Sequence, residues 1–280
     1  MSPTVPFAWI SAWLVTHPPG KGTIGDDPPT QSEIYLYHAD LRQAGWGKLV
    51  RLLSVEERRR ADAFAFERDA RRFIVSHAVL RTLLGHATGI PPGELSFRRE
   101  PGLKPALETR SAQPIHFSLS RSEELVAIGL ASRPLRVDIE WLAKTIDIEA
   151  MGDFVLSDRE REAFRRLDPS DRRRALLQCW TQKEAYLKAI GRGLSVSPAA
   201  VEVSLGPDEV AGLKTVAGDA RAAAEWFVDL VVPREGYIGA VAVRGNRRQV
   251  QMIAFETSCL LVESGRRAKA CPAVVMRDLG

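Results

Sequence analysis

The run Arg136-Val137-Asp138-Ile139-Glu140 alternates charged and apolar residues. In an extended chain successive side chains point to opposite faces, so Asp138 and Glu140 share one face while Val137 and Ile139 share the other. Two carboxylates on one side repel each other unless a cation or a basic partner compensates. A hard divalent ion taking oxygen ligands does this. The plainer reading is the solvent face of a strand end. A second run, Trp180-Thr181-Gln182-Lys183-Glu184-Ala185-Tyr186-Leu187-Lys188, has helical spacing. Trp180, Glu184 and Lys188 recur at four-residue steps and fall on one helix face. A glutamate and a lysine so spaced also form an ordinary surface pair, worth only about 0.3–0.5 kcal/mol. Taken singly, each run allows either a site or a solvated face.

Taken together and in this order, the two runs resemble the signature of the 4'-phosphopantetheinyl transferases, a V-D-x-E strand followed by a W-T-x-K-E-A-x-x-K helix. The likeness extends over the segment from Ser54 to Ser204. Phe117-Ser118-Leu119-Ser120-Arg121-Ser122 is similar to the family's F-N-x-S-H-S turn. Gly102-Leu103-Lys104-Pro105 is similar to its G-K-P motif, and Gly191-Arg192-Gly193-Leu194 to its G-K-G-L. Arg60, four residues before Phe64, stands where Sfp-type members place a basic residue for the 3'-phosphate of coenzyme A. Three positions depart from the pattern. Arg136 replaces a glycine, Leu103 interrupts G-K-P, and Arg121 replaces a histidine. A guanidinium grips phosphate bidentately but stays protonated, so Arg121 cannot serve as a general base.

The resemblance implies an α+β fold of two similar α/β halves related by a pseudo-twofold axis, with the active site at their interface. It implies transfer of 4'-phosphopantetheine from coenzyme A to a serine of an apo acyl, peptidyl or aryl carrier protein, with release of 3',5'-ADP. Mg²⁺ is the implied cofactor, with Asp138, Glu140 and Glu184 as its ligands. Lys188 and Arg121 then add positive charge beside the pyrophosphate, Arg60, Arg72 and Lys104 hold the nucleotide end, and Ser120 donates from the turn. Glu184 is the implied proton acceptor, with Asp138 and Lys188 beside it in the catalytic group. The length matches the Sfp-type members, which act as monomers, usually in secondary metabolism. A non-catalytic carrier- or coenzyme A-binding protein of the same fold is the alternative. Its mark would be loss of the acidic trio, which is intact here.

These residues need elements to hold them. Ser54 followed by Glu57 reads as a capping box opening a helical stretch over 54–88, bent near Phe66 to Asp69. Short apolar runs at Glu33–Tyr37, Glu94–Arg99, Ile115–Ser120, Val126–Ala131 and Leu135–Trp141 read as strands. Helical patterns then cover 147–166 and 171–190, the latter closed by Gly191, and strands follow at 200–204, 226–232 and 238–243. Residues 17–32 are rich in proline and glycine and read as a loop. The expected organisation is an N-terminal half over 1–133 that binds the nucleotide and a C-terminal half over 134–250 that carries the metal site. A C-terminal extension without clear period follows over 251–280.

Composition narrows the field further. The 39 basic against 35 acidic residues leave a net charge of only +4. Glu56, Glu57, Asp62, Glu67 and Asp69 interleave with the arginines of the first helical stretch, which argues against a nucleic-acid partner. The three cysteines lack metal spacing and read as buried or incidental thiols of a reducing compartment. The absence of a signal-like N-terminus and of any long apolar run points to a cytoplasmic protein with no membrane partner. The five histidines have no metal spacing either.

Overall fold

The structure is a computed structural model that describes residues 33–43, 45–98, 104–108, 114–205, 210–261 and 273–276. The expected loop over 17–32, together with Gly102, Leu103 and Cys271, lies outside them. The chain forms two compact units, and their limits differ from those expected. Residues 117–123 belong with the second unit although they precede 124–132 of the first, and the chain from Val250 on returns to the first.

In the first unit, β1 (Glu33–Asp40) pairs antiparallel with β5 (Leu125–Ala131), Ile34 opposite Ala131 and Asp40 opposite Leu125. The small strands β2 (Ser96–Arg98) and β3 (Ala106–Glu108) form a separate ribbon. The expected appendage is instead β11 (Gln249–Phe255), which lies beside β1 and is flanked in turn by β12 (Ala273–Met276). Its weak period has a physical cause. Ile253 and Phe255 alone are buried, so one face contributes little to the core. Further along, Cys259 is disulfide-bonded, which corrects the expectation of incidental thiols, while Cys179 is a buried free thiol.

The helical stretch of this unit divides as α1 (Val55–Asp62) and α2 (Glu67–Thr88). Ser54 accepts from the Glu57 amide and Glu57 returns to the Ser54 amide, completing the capping box. One face of α2 buries Phe73, Ile74, Val79, Leu80, Leu83 and Leu84. Gly89 ends it at φ 72°, a left-handed conformation that glycine adopts without a Cβ clash.

The second unit holds β4 (His116–Ser122), with His116 outside it, and β6 (Leu135–Trp141). Helices α3 (Ile148–Val155), α4 (Asp158–Arg165) and α5 (Pro169–Ala189) follow. The expected single helix over 147–166 is broken at Leu156, because Ser157 is extended and caps a new helix with Glu160 in a second capping box. Strands β7 (Val201–Val203) and β8 (Leu213–Val216) pair, and a short α6 (Ala220–Ala224) leads into β9 (Trp226–Val231) and β10 (Tyr237–Arg244).

The central antiparallel sheet of this unit runs β6-β10-β9. Helix α5 lies on it through Ala185, which packs against Ala240 and Ala242. Small residues on both sides let helix and sheet approach closely. The opposite side of α5 buries Leu176, Cys179, Tyr186 and Leu187 with Val155, Phe164, Val201 and Val203. Helix α5 is therefore buried on most sides between Ala175 and Leu187, and the polar Thr181, Gln182, Lys183 and Glu184 are enclosed with its apolar residues. Among the described residues, no helix is long and apolar enough to cross a membrane.

One device occurs in both units. Leu53-Ser54-Val55-Glu56-Glu57-Arg58 and Leu156-Ser157-Asp158-Arg159-Glu160-Arg161 share the pattern L-S-x-x-E-R. In each, the capping-box glutamate also accepts from a buried cation of the unit's long helix. Arg81 reaches Glu57 at 2.5 Å, and Lys183 reaches Glu160 at 2.5 Å. The following arginine turns back onto the leucine carbonyl in both, Arg58 at 3.1 Å and Arg161 at 3.4 Å.

Candidate functional site

Strand β6 is an edge of its sheet, so one row of its amides points away from β10 and needs acceptors. Strand β4 supplies them with side chains. Ser118 Oγ accepts from the Val137 amide at 3.0 Å, Ser120 Oγ from Ile139 at 3.2 Å, and Ser122 Oγ from Trp141 at 3.0 Å. Two of these hydroxyls pass their own proton to the carboxylates. Ser120 donates to Asp138 Oδ1 at 3.2 Å and Ser122 to Glu140 Oε2 at 2.9 Å. Ser120 is thus committed to positioning Asp138. Alternate serines on one strand orient alternate acids on the other.

The strand beneath is held equally closely. A Cβ on Gly239 of β10 would stand 2.5 Å from the Asp138 carbonyl oxygen, so only glycine permits this approach. From the helix side, α5 brings Glu184 and Lys188 over β6. Lys188 Nζ donates to Asp138 Oδ1 at 2.6 Å and lies 3.4 Å from Glu184 Oε2. The surface pair that helical spacing alone allows is therefore part of a buried cluster, since Asp138 is only 5% and Glu184 8% exposed. The other oxygen, Glu184 Oε1, is buried and has no hydrogen-bond partner.

Burial raises the Asp138 pKa to about 6. Lys188 pulls it back down, while Glu140 and Glu184 push it further up. Burial also works to lower the Lys188 pKa, but the charges of Asp138 and Glu184 outweigh it and hold that ammonium above its usual value. Ser120, Arg121, Asp138, Glu140, Trp180, Glu184 and Lys188 all line one open cavity of about 360 Å³. Trp180 forms its wall, with its ring centroid 6.3 Å from that of Phe154.

Oxygen donors of this kind suit a hard divalent cation. Asp138 and Glu184 already face a common positive charge, and Glu184 Oε1 offers an unused lone pair. Glu140 is turned elsewhere, accepting from Lys144 Nζ at 3.2 Å as well as from Ser122. Accordingly no group of three or more acidic, histidine or cysteine side chains is gathered closely enough to hold a metal among the described residues. The side-chain arrangement has Lys188 as the cation between Asp138 and Glu184. The expected trio lines the cavity without closing on one point.

The remaining expected residues are in the first unit. Arg60 of α1 is exposed, with its guanidinium 5.3 Å from the Phe73 ring centroid. Arg72 of α2 pairs with Glu124 at 3.0 Å. Lys104 is half-buried just before β3. Ser118, Ser122 and Lys183 stand inside the motifs, but sequence reasoning assigned them no role. The Ser118-x-Ser120-x-Ser122 alternation on a strand was the available signal for the first two. The pairing of Lys183 with Glu160 had none, because packing alone brings Glu160 to it.

A model of the 4'-phosphopantetheinyl transferase superfamily matches residues 136–242, and a model of a 4'-phosphopantetheinyl transferase N-terminal region matches 41–134. The chain is 33% identical over 237 residues to 4'-phosphopantetheinyl transferase HetI of Nostoc sp., covering 83% of this chain and 94% of that one. It is 29% identical over 163 residues to 4'-phosphopantetheinyl transferase psf-1 of Bacillus pumilus, spanning 58% of this chain and 68% of the relative. Against 4'-phosphopantetheinyl transferase Sfp of Bacillus subtilis the identity is 25% over 178 residues, covering 63% and 78% respectively. The superfamily model spans β6 through most of β10, the segment that carries Asp138, Glu140, Glu184 and Lys188, and with the near full-length match to HetI it shows that this chain belongs to the 4'-phosphopantetheinyl transferases.

Proposed function

We propose that the chain moves 4'-phosphopantetheine from coenzyme A to a serine of an apo acyl or peptidyl carrier protein, using the cavity of Asp138, Glu184 and Lys188. The observation that carries this reading is the pair of buried carboxylates facing one cation, with Glu184 Oε1 left without a partner. The carrier serine oxygen bonds to the phosphorus that bears pantetheine. The bond from that phosphorus to the bridging oxygen breaks, and 3',5'-ADP leaves with the electron pair. The serine proton passes to Glu184.

Asp138, Glu184 and Glu140 would hold Mg²⁺, Glu140 after release from Lys144. When bound, the ion supplies positive charge against the diphosphate. Lys188 and Arg121 supply further positive charge at the cavity wall, and charge placed where the leaving group becomes more negative favours the transition state. Arg60 is the most available of the basic residues for the nucleotide end. It has no acidic partner among the described residues, whereas Arg72 is engaged by Glu124. The protein acts as a cytoplasmic monomer in this reading.

The test is incubation with coenzyme A, Mg²⁺ and a panel of apo carriers, read by intact mass. A gain of one phosphopantetheine group is expected, abolished by a chelator and restored by Mg²⁺. No mass gain with any carrier would leave the binding-protein alternative in its place, and full transfer after chelation would remove the metal from the reading.

A further inference from the structure

Each carboxylate of the Asp138 cavity already meets a lysine of this chain. Lys188 Nζ donates to Asp138 Oδ1 at 2.6 Å and lies 3.4 Å from Glu184 Oε2, so one ammonium serves two acids. Lys144 Nζ donates to Glu140 Oε1 at 3.2 Å and to Oε2 at 3.3 Å. That second pair lies near the surface with its lysine side chain 45% exposed, and such pairs hold weakly. In the first, the acids are buried and the lysine is not. The Asp138 and Glu184 side chains are 6% and 10% exposed, whereas that of Lys188 is 41% exposed.

Asp138 Oδ1 also accepts from Ser120 at 3.2 Å, so both lone pairs of that oxygen are engaged. Ser120 is fixed from its other side by the Ile139 amide. Lys188 is the partner able to leave, because its long, flexible stem lines the open cavity and has room to turn into it. Two buried carboxylates facing each other without a cation are costly, and the ammonium removes that cost. A hard divalent ion uses the same carboxylate oxygens. The point between Asp138 Oδ1 and Glu184 Oε2 holds one cation at a time.

We propose that Lys188 is a built-in counter-ion, bound to Asp138 and Glu184 in competition with the divalent cation and released when the cation binds. The inference rests on the reading of this cavity as the cation site of the transfer reaction, and adds what sets the affinity of that site. Release also has a use. The displaced ammonium stays at the cavity wall, where a diphosphate gives it a new anionic partner. One residue thus serves the acids first and the substrate afterwards.

Calorimetric titration of the full chain with Mn²⁺ at pH 8 tests it. Lys188→Met should bind the ion about tenfold more tightly than the natural protein, as for removal of a competing charge-assisted hydrogen bond. Lys144→Met should gain no more than about fivefold, since its pair is exposed. In the presence of a chelator Lys188→Met should also melt below the natural protein, and Mn²⁺ should raise its melting temperature by more. A lysine that only repelled the ion from the cavity wall would raise affinity on removal without that loss of stability. Should Lys188→Met not fold, the natural protein gives a second reading. Reductive methylation of Lys188, followed by peptide mass, should quicken when Mg²⁺ is added, while buried Lys183 stays unmodified throughout. Unchanged methylation, a larger gain in Lys144→Met, or equal Mn²⁺ affinity in Lys188→Met and a natural protein that still transfers would each overturn this inference and leave the proposed function standing. No Mn²⁺ binding in any form would overturn both.

Discussion

At the scale of single residues, Asp138 shows a conflict between stability and function. Its carboxyl is buried, its pKa is raised to about 6, and burial is the leading cause. A carboxyl whose folded pKa exceeds its unfolded value favours folding most at low pH, and that contribution is lost as pH rises through the folded pKa. Above about pH 6 the ionised form therefore works against the fold. Asp138→Asn should raise the melting temperature at pH 8 relative to the natural protein, and the gain should shrink as pH falls from 6 towards 4. The same variant should abolish transfer, because asparagine lacks the charge. A variant less stable at pH 8 would mean that the Lys188 bond outweighs desolvation. Protons also compete with a cation for this carboxylate, so Mn²⁺ affinity measured by titration should fall as pH drops below 6.

The serines form a second test at this scale. Ser118→Ala removes the acceptor of the buried Val137 amide but touches neither carboxylate. Leaving that amide unsatisfied should cost about 1–3 kcal/mol in denaturant unfolding, with transfer retained. Ser120→Ala removes both an amide acceptor and a donor to Asp138. It should cost a similar amount of stability and lower transfer as well. Equal transfer in the two variants would deny Ser120 its positioning role.

At the scale of elements, the repeated capping device ties each long helix to a short helix of its own unit. Glu160 accepts from the Ser157 amide, the Val203 amide and Lys183, so a single carboxylate gathers α4, β7 and α5. Lys183 also donates to the Val155 carbonyl at 2.7 Å at the end of α3. Removing one partner of such a pair strands a buried charge, at a typical cost of 3–5 kcal/mol. Lys183→Met should lower the urea midpoint of unfolding correspondingly, and Arg81→Met should do so through Glu57. Loss of transfer in Lys183→Met should be reversed in conditions that stabilise the fold. If the variant keeps full stability but loses transfer, Lys183 has a role in the reaction that its burial conceals.

For the whole molecule, the chain's return to its first unit is the decisive feature. Strand β11 stands beside β1 in the sheet and buries Ile253 and Phe255. A chain ending at residue 249 would leave β1 with an unpaired edge, and exposed edges invite aggregation. Such a truncation should cut soluble yield and lower the melting temperature, as seen by circular dichroism and size-exclusion chromatography. A truncated chain as stable as the full one would return β11 to the status of an appendage.

Much of this protein is legible in its sequence. Capping boxes and apolar periods act over a few residues, so Ser54, Glu57 and Gly191 marked helix ends correctly, and alternation over Leu135–Trp141 marked the strand that carries both acids. The motifs identified the family for the same reason, since local spacing fixes which side chains share a face. Sequence alone could not choose between a surface Glu184–Lys188 pair and a buried cluster, because that depends on α5 lying across β6. Nor could it tell that Lys188 rather than a neighbour faces Asp138, that Glu140 turns to Lys144, or that the tail re-enters the first sheet. Those outcomes depend on contacts between residues far apart in the chain. Burial, and with it the charge state of Asp138, exists only once those contacts have excluded water.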